Sequence, residues 1–187
     1  MKRQSYRIYR KIKYICRRIY VQIAPKRDAL NRQKREPRII VSLTSYPGRF
    51  AHIHTALKSI MLQTLKPDKI IVWLDADVGK EKLTPKMLEL EQYGVEYRVA
   101  AGDLKPHKKY IHAMREFPDD IIITVDDDLI YAKDVIETLM KTHMRYPNAV
   151  CARRVHKITK DANGAIAPYN NWLGEYCGCD TPSHALV

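Results

Sequence analysis

The sequence predicts an α/β fold: a mostly parallel sheet with helices on both faces, preceded by a basic amphipathic helix. Three observations carry this. From residue 38 onward, short runs of β-branched and apolar residues alternate with amphipathic helical patterns, the signature of βαβ units. The run Ile121-Ile122-Ile123-Thr124-Val125 reads as a strand buried on both faces and is followed at once by Asp126-Asp127-Asp128, beyond the carboxyl end of a strand, where parallel sheets bind their ligands. Residues 1 to 38 hold 14 Lys or Arg against Asp28 and Glu36, whereas residues 39 to 187 hold 19 basic and 19 acidic side chains. The whole net charge of +12 therefore belongs to an N-terminal arm, and the overall pI says nothing about the globular part.

In the arm, residues 1–30, Ile8, Ile12, Ile15, Ile19 and Ile23 recur at helical spacing and form one apolar stripe. Lys and Arg fill the other face, Tyr6, Tyr9, Tyr14 and Tyr20 suit a lipid headgroup boundary, and Pro25 stops the helix. No run approaches the roughly 20 apolar residues that span a bilayer, and no uncharged segment of a signal peptide is present. Residues 1–24 are therefore expected to lie on an anionic membrane surface. A nucleic-acid-binding arm would need no isoleucine stripe, so no nucleic acid is expected. A transit peptide would be richer in Ser than one in the first 30 residues.

Residues 31–38 read as a linker closed by Pro37. Arg38 to Leu43 is the first strand, and Thr44-Ser45-Tyr46-Pro47-Gly48-Arg49 the loop after it. Ile53, Ala56, Leu57, Ile60 and Met61 mark a helix; Lys69 to Leu74 is the second strand, ending in Asp75-Ala76-Asp77. Thr84 as N-cap and Pro85 at the first position open a helix to about Tyr93, with Gly94 suited to the left-handed residue beyond it. Val95 to Val99 is the third strand, Lys105 to Arg115 a helix or helical loop, and the acidic-tipped strand the fourth. Val135 to His143 is helical and Pro147 stops it; Ala149 to Val155 is predicted as a further strand and Asn163-Gly164 as a turn. The apolar end Ala185-Leu186-Val187 reads as the start of an element, so the domain spanning residues 39–187 is expected to be incomplete at its C-terminus. Four cysteines (Cys16, Cys151, Cys177, Cys179) without a secretory signal indicate a reducing compartment, and the lone Cys177-x-Cys179 pair lacks two further zinc ligands.

Adjacent carboxylates raise one another's pKa, so keeping Asp126, Asp127 and Asp128 ionised calls for a counter-charge, most simply a divalent metal. Hard oxygen ligands without His or Cys favour Mg2+ or Mn2+ over zinc. Asp75 and Asp77 form a second, competing D-x-D. Lys105, Lys108 and Lys109 are spaced so that at least one points at phosphates from a helix start. Glu175 and Asp180 are candidate general bases, and their spacing does not choose between them.

The segments RIIVSLTSYPGR, IIVWL, LKPHKKYIHAM and IIITVDDD together resemble bacterial glycosyltransferases of the GT-A fold, of the lipopolysaccharide and capsule biosynthesis type, over about residues 38 to 187. The resemblance implies that Asp126 and Asp128 are the outer positions of a D-x-D motif that holds a metal on the diphosphate of a nucleotide-sugar, with Asp128 the preferred ligand and Asp126 and Asp127 among the donor-binding residues. It implies that Thr44, Tyr46 and Arg49 hold the nucleoside, with Tyr46 stacked on the base, that Asp75 or Asp77 accepts a hydrogen bond from the base, and that Lys109 lies near the donor. The expected function is metal-dependent transfer from a nucleotide-sugar, a UDP-sugar foremost, to a saccharide or lipid-linked acceptor by an enzyme peripheral on the inner face of the cell membrane. The rivals are a sugar nucleotidyltransferase, which lacks its glycine-rich triphosphate loop here, and a non-catalytic fragment that binds a nucleotide or anionic lipid.

Overall fold

The computed structural model describes residues 2–100, 102 and 104–174 and divides into two compact units, residues 1–136 and 137–187. In the first unit α1 (Lys2–Ile23) precedes β1 (Ile39–Thr44), and α2 (Phe50–Met61), β2 (Lys69–Leu74), α3 (Pro85–Glu91), β3 (Val95–Val99), α4 (Lys108–Glu116) and β4 (Ile121–Thr124) follow. All strand pairs are parallel and the order is β3-β2-β1-β4. The chain steps outward from β1 to β3, then returns to pair β4 with the free edge of β1. This reversal makes a topological switch point, and the crevice at the carboxyl ends of β1 and β4 is its consequence.

The period of two along each strand divides the core. Ile40, Ile71 and Trp73 pack with Ala113 and Phe117 around α4, while Val41, Leu43, Ile70, Val72 and Leu74 are buried on the other face. There α2 buries Ile53, Leu57 and Ile60, and α3 buries Met87 and Leu90. Right-handed crossovers account for this partition, with α2 and α3 on one face and α4 on the other. Each fully buried aliphatic side chain contributes about 2 kcal/mol, so the central strands β1 and β2 dominate the stability of the sheet.

Capping follows the sequence at α3, where Thr84 Oγ1 accepts from the Met87 amide, Pro85 is the first helical residue, and Gly94 takes φ +99°. Two expectations need correction. The β4 run is not buried on both faces: Ile123 and Val125 are buried, but Ile121 and Ile122 are only partly so, because β4 pairs with β1 alone among the described residues. Residues 149–155 form no strand. Val150 is fully exposed there, and Arg153-Arg154 interrupts any apolar alternation.

Helix α1 ends at Ile23, ahead of Pro25. It docks through Arg17, whose Nη1 donates to the Ile130 carbonyl at 3.0 Å, and through buried Val21 and, just beyond it, Ala24. Lys58 of α2 donates to the Gln22 carbonyl at 2.9 Å and caps its last turn. At about 100° per residue, Arg17, Val21 and Ala24 lie nearly opposite the isoleucines. Ile8, Ile12, Ile15, Ile19 and Ile23 are each at least half exposed. Residues 31–38 hold no helix or strand and are tied to the amino-terminal end of the sheet by the ion pairs Arg35–Asp68 and Arg38–Asp120.

The second unit takes in most of α5 (Val135–Arg145), which begins as the first unit ends. Isolated antiparallel bridges join Lys157 to Leu173 and Lys160 to Ile166 around the Asn163-Gly164 turn, where Asp161 Oδ1 accepts from the Asn163 and Ala165 amides and Gly164 takes φ +80°. Trp172 Nε1 donates to the Ala167 carbonyl at 2.8 Å.

Candidate active site

The loops after β1, β2 and β4 and the start of α4 converge on a cleft of about 490 Å³, lined by Thr44, Ser45, Tyr46, Arg49, Asp75, Lys105, Lys108, Lys109 and Asp126 to Asp128. Parallel pairing of β1 with both β2 and β4 brings these carboxyl ends together. A larger cleft, about 610 Å³, lies at the opposite end of the sheet among Arg35, Arg38, Asp68 and Asp120. Its cations are already spent on its carboxylates, so it reads as a stapled joint between linker and sheet.

Each carboxylate in the site has a cation. Lys109 Nζ donates to Asp126 Oδ1 at 2.7 Å. Arg49 Nη1 donates to Asp128 Oδ2 at 2.6 Å and to Asp127 Oδ1 at 3.3 Å. Ser45 Oγ donates to the other Asp127 oxygen at 2.6 Å. Buried Lys108 pairs with Asp75. The counter-charge that the aspartates call for is thus present in Arg49 and Lys109, and their ionisation does not by itself require a metal. The Arg49 guanidinium is held above its ordinary pKa, first by the hydrogen bond to Asp128, then by Tyr46 and by the charge of Asp127. It also lies over the Tyr46 ring, 5.9 Å from its centroid.

Exposure separates the three aspartates. The Asp126 and Asp128 side chains are 51% and 53% exposed, that of Asp127 only 11%. Asp127 therefore anchors the loop, while Asp126 and Asp128 offer oxygens at the mouth. Tyr131 fixes the same loop from below: its hydroxyl accepts from the Asp126 amide at 2.6 Å. Burial first, and then the charges of Asp126, Asp128 and Asp127, push the Tyr131 phenol up to about 12.

Behind the cleft, Trp73 Nε1 donates to Ser42 Oγ at 2.9 Å, and Ser42 Oγ donates to the Lys109 carbonyl. This chain from β2 through β1 sets the first turn of α4, and with it Lys108 and Lys109, which point to different aspartates. Lys105 carries φ +48°, a left-handed conformation that costs a non-glycine residue about 1–3 kcal/mol. Among the described residues it is the lining cation without an ion pair.

The cleft unites Thr44, Tyr46, Arg49, Asp75, Lys109, Asp126, Asp127 and Asp128. Asp77 is exposed and lies outside the lining; the turn closed by the Val78 amide on the Asp75 carbonyl carries it away, and its own carbonyl accepts from Lys82. Glu175 and Asp180 lie outside the described residues. Ser42, Trp73 and Tyr131 were not read from the sequence as site residues. Ser42 carried a signal, being the one polar residue inside the run Ile39 to Leu43; Tyr131 carried none.

Residues 41–173 match the family model described as glycosyl transferase family 2. That span, well over half of the chain, takes in β1 from Val41 onward, the other three strands and the whole cleft, but not α1 or the linker. No curated protein matches the chain.

Proposed function

The chain belongs to glycosyl transferase family 2, and from that membership we propose that it moves a sugar from a nucleotide-sugar, a UDP-sugar foremost, onto a membrane-associated saccharide or lipid-linked acceptor in cell-surface polysaccharide synthesis. One observation carries this: four cations and four carboxylates line a single cleft at the switch point of the sheet. In the transfer the bond from sugar C1 to the distal phosphate oxygen breaks and the nucleoside diphosphate leaves with the electron pair. A bond from the acceptor oxygen to C1 forms, and the hydroxyl proton passes to a base, for which Glu175 and Asp180 are the proposed groups. Negative charge grows on the leaving phosphate, so cations fixed beside it stabilise the transition state more than the ground state. Lys105 is available for that task, and Lys109 and Arg49 turn to it from their aspartates as the diphosphate enters. Tyr46 is the proposed stacking partner of the base, and Asp75, inside the cleft, the proposed acceptor of a base N–H; Asp77 is not carried forward.

A divalent cation fits the donor set. Asp126 and Asp128 are half-exposed carboxylates with no His or Cys beside them in the cleft lining. Among the described residues no group of three or more His, Cys, Asp or Glu forms a metal cage, and Mg2+ or Mn2+ needs none, because one or two carboxylates and the phosphate oxygens of a substrate suffice. Asp126 and Asp128 would hold it. Bound there, it would supply Lewis-acid stabilisation of the leaving diphosphate.

The arm suits a membrane-borne acceptor. Among the described residues no helix is long and apolar enough to cross a membrane, but the isoleucine stripe of α1 is exposed and bordered by cations. Each Lys or Arg near an anionic surface adds about 1 kcal/mol, so residues 1–24 are proposed to dock the enzyme on the inner face of the cell membrane and raise the effective concentration of acceptor. The test is a thermal-shift series with manganese, UDP and UDP-sugars, run beside an assay of donor hydrolysis. A manganese-dependent shift with slow hydrolysis is expected; no shift with any nucleotide would overturn the proposal.

A further inference from the structure

A second cleft, about 570 Å³, opens between α1 and α2. Tyr14 and Arg18 of α1 form one wall, His52 and Thr55 of α2 the other, and Leu129 and Ile130 the floor. It shares Tyr46, Arg49, Asp127 and Asp128 with the cleft described above, so the same two aspartates form a wall of both. The family match begins at residue 41; the α1 wall is an addition to that core.

In this cleft Asp127 and Asp128 are paired with Arg49. Arg18 and His52 line it too, and neither has an ion-pair partner among the described residues. Around α1, Tyr14 and Arg18 occupy the flank between the docked face of Arg17 and Val21 and the exposed isoleucines; Arg18 is a helical neighbour of Ile15, three residues back, and adjoins Ile19. The cleft thus combines the shared aspartates, the Tyr14 ring, suited to the apolar face of a sugar, the Arg18 guanidinium and the His52 imidazole, and its α1 side borders the exposed isoleucines.

We propose that this cleft is the acceptor site, that Tyr14 and Arg18 belong to it, and that the acceptor is a saccharide joined through a phosphate to a membrane lipid. The proposal rests on the glycosyl-transfer reading and adds the acceptor class. The phosphate lies between Arg18 and His52, the reacting sugar hydroxyl reaches the aspartate wall, and the lipid tail leaves along Ile15 and Ile19. The arm is then both membrane anchor and part of the substrate site.

Octyl phosphate, a phosphate on an apolar tail, is the minimal probe, titrated into the full chain by calorimetry beside inorganic phosphate. Saturable binding is expected, tighter than that of inorganic phosphate. Arg18→Glu should weaken it about tenfold or more. Lys13→Glu makes the same charge change roughly 140° around the helix, where Lys13 lies over the Tyr9 ring, and should leave binding within twofold. Equal losses in both variants, equal affinity for octyl and inorganic phosphate, or no saturable binding at all would overturn the proposal. Both variants should keep the wild-type melting temperature and the manganese-UDP shift. Absence of that shift in the wild type refutes the glycosyl-transfer reading instead, whatever octyl phosphate does.

Discussion

One nitrogen of Arg49 bridges two consecutive carboxylates, lying 2.6 Å from Asp128 and 3.3 Å from Asp127. Asp128 is also the proposed metal ligand, so guanidinium and metal compete for the same oxygens. Arg49→Gln should therefore strengthen manganese binding in the absence of nucleotide, by about threefold to tenfold, while weakening UDP binding, because the side chain that faces the diphosphate is gone. Calorimetry with each ligand alone separates the two effects. A parallel loss of both would mean that Arg49 holds the loop and does not compete for it.

Exposure predicts that the three aspartates behave differently. Asp128→Ala removes a half-exposed side chain and should abolish the manganese effect on melting with little change in basal stability. Asp127→Ala strands the buried Ser45 hydroxyl and removes the longer of the two carboxylate contacts of Arg49, and should cost about 1–3 kcal/mol of folding stability. Thermal melts with and without manganese check both; the opposite pattern would exchange anchor and ligand.

Tyr131 supplies an alkaline prediction. Its phenol is pushed up to about 12, first by burial and then by the three aspartates, whereas an unfolded tyrosine titrates near 10. A raised pKa favours the protonated, folded form, so its contribution is complete below about pH 10 and is lost as pH rises through about 12. Tyr131→Phe should flatten part of this loss. It should also cost about 1 kcal/mol at neutral pH by leaving the Asp126 amide without its acceptor. Denaturant melts from pH 8 to pH 12 read both. Tyr97 is also held above its ordinary value by burial and then by Glu91, so some alkaline slope should survive in the variant.

At the acidic end the signs reverse. Burial works to raise the Asp68 carboxyl, but hydrogen bonds from the Ile39 amide, Asn31 and Arg35 outweigh it and hold the group below its usual range. Its stabilising contribution is present above the unfolded value near 4 and is lost as pH falls through the depressed value. Asp68→Asn should lower stability at pH 7 and reduce the acid-induced loss, in melts followed from pH 7 to pH 3. An unchanged acid profile would show that Asp68 is not where that loss arises.

The strands were legible because each carries a local pattern, a mainly apolar run in β1, β2 and β4 and an alternation of apolar and charged residues in β3. Their order was not, since nothing local tells β4 to pair with β1. That pairing is what sets Ser45 against Asp127, and it separates two similar acidic triplets: Asp126 and Asp128 follow an edge strand beside the β1 loop, while the turn at Val78 carries Asp77 out of the cleft. Lys108 and Lys109 are neighbours in sequence, yet a helical rotation of about 100° sends one to Asp75 and the other to Asp126. The predicted strand at residues 149–155 does not form, for a different reason: the consecutive arginines Arg153 and Arg154 break the apolar pattern between Val150 and Val155. In α1 the periodicity revealed the stripe, but only the tertiary contacts of Arg17 and Val21 show that the domain packs on the other side of the helix.

That packing gives the arm a clean test. Deleting residues 1–24 would also remove buried Val21 and confuse docking with stability, so the informative variant is Ile12→Ser with Ile19→Ser. Both side chains are at least half exposed and lie away from the packed face, and the melting temperature should not fall. Burying each isoleucine in the headgroup boundary contributes about 1.5 kcal/mol or more. The double variant should therefore lose about 3 kcal/mol of membrane affinity, on the order of a hundredfold in partitioning. Sedimentation with vesicles containing anionic lipid measures this directly, and salt distinguishes the two forces: residual binding of the variant should vanish at high ionic strength, because only the screened attraction of the basic face remains. Wild-type partitioning in the double variant would mean that the stripe is not what holds the helix to the bilayer.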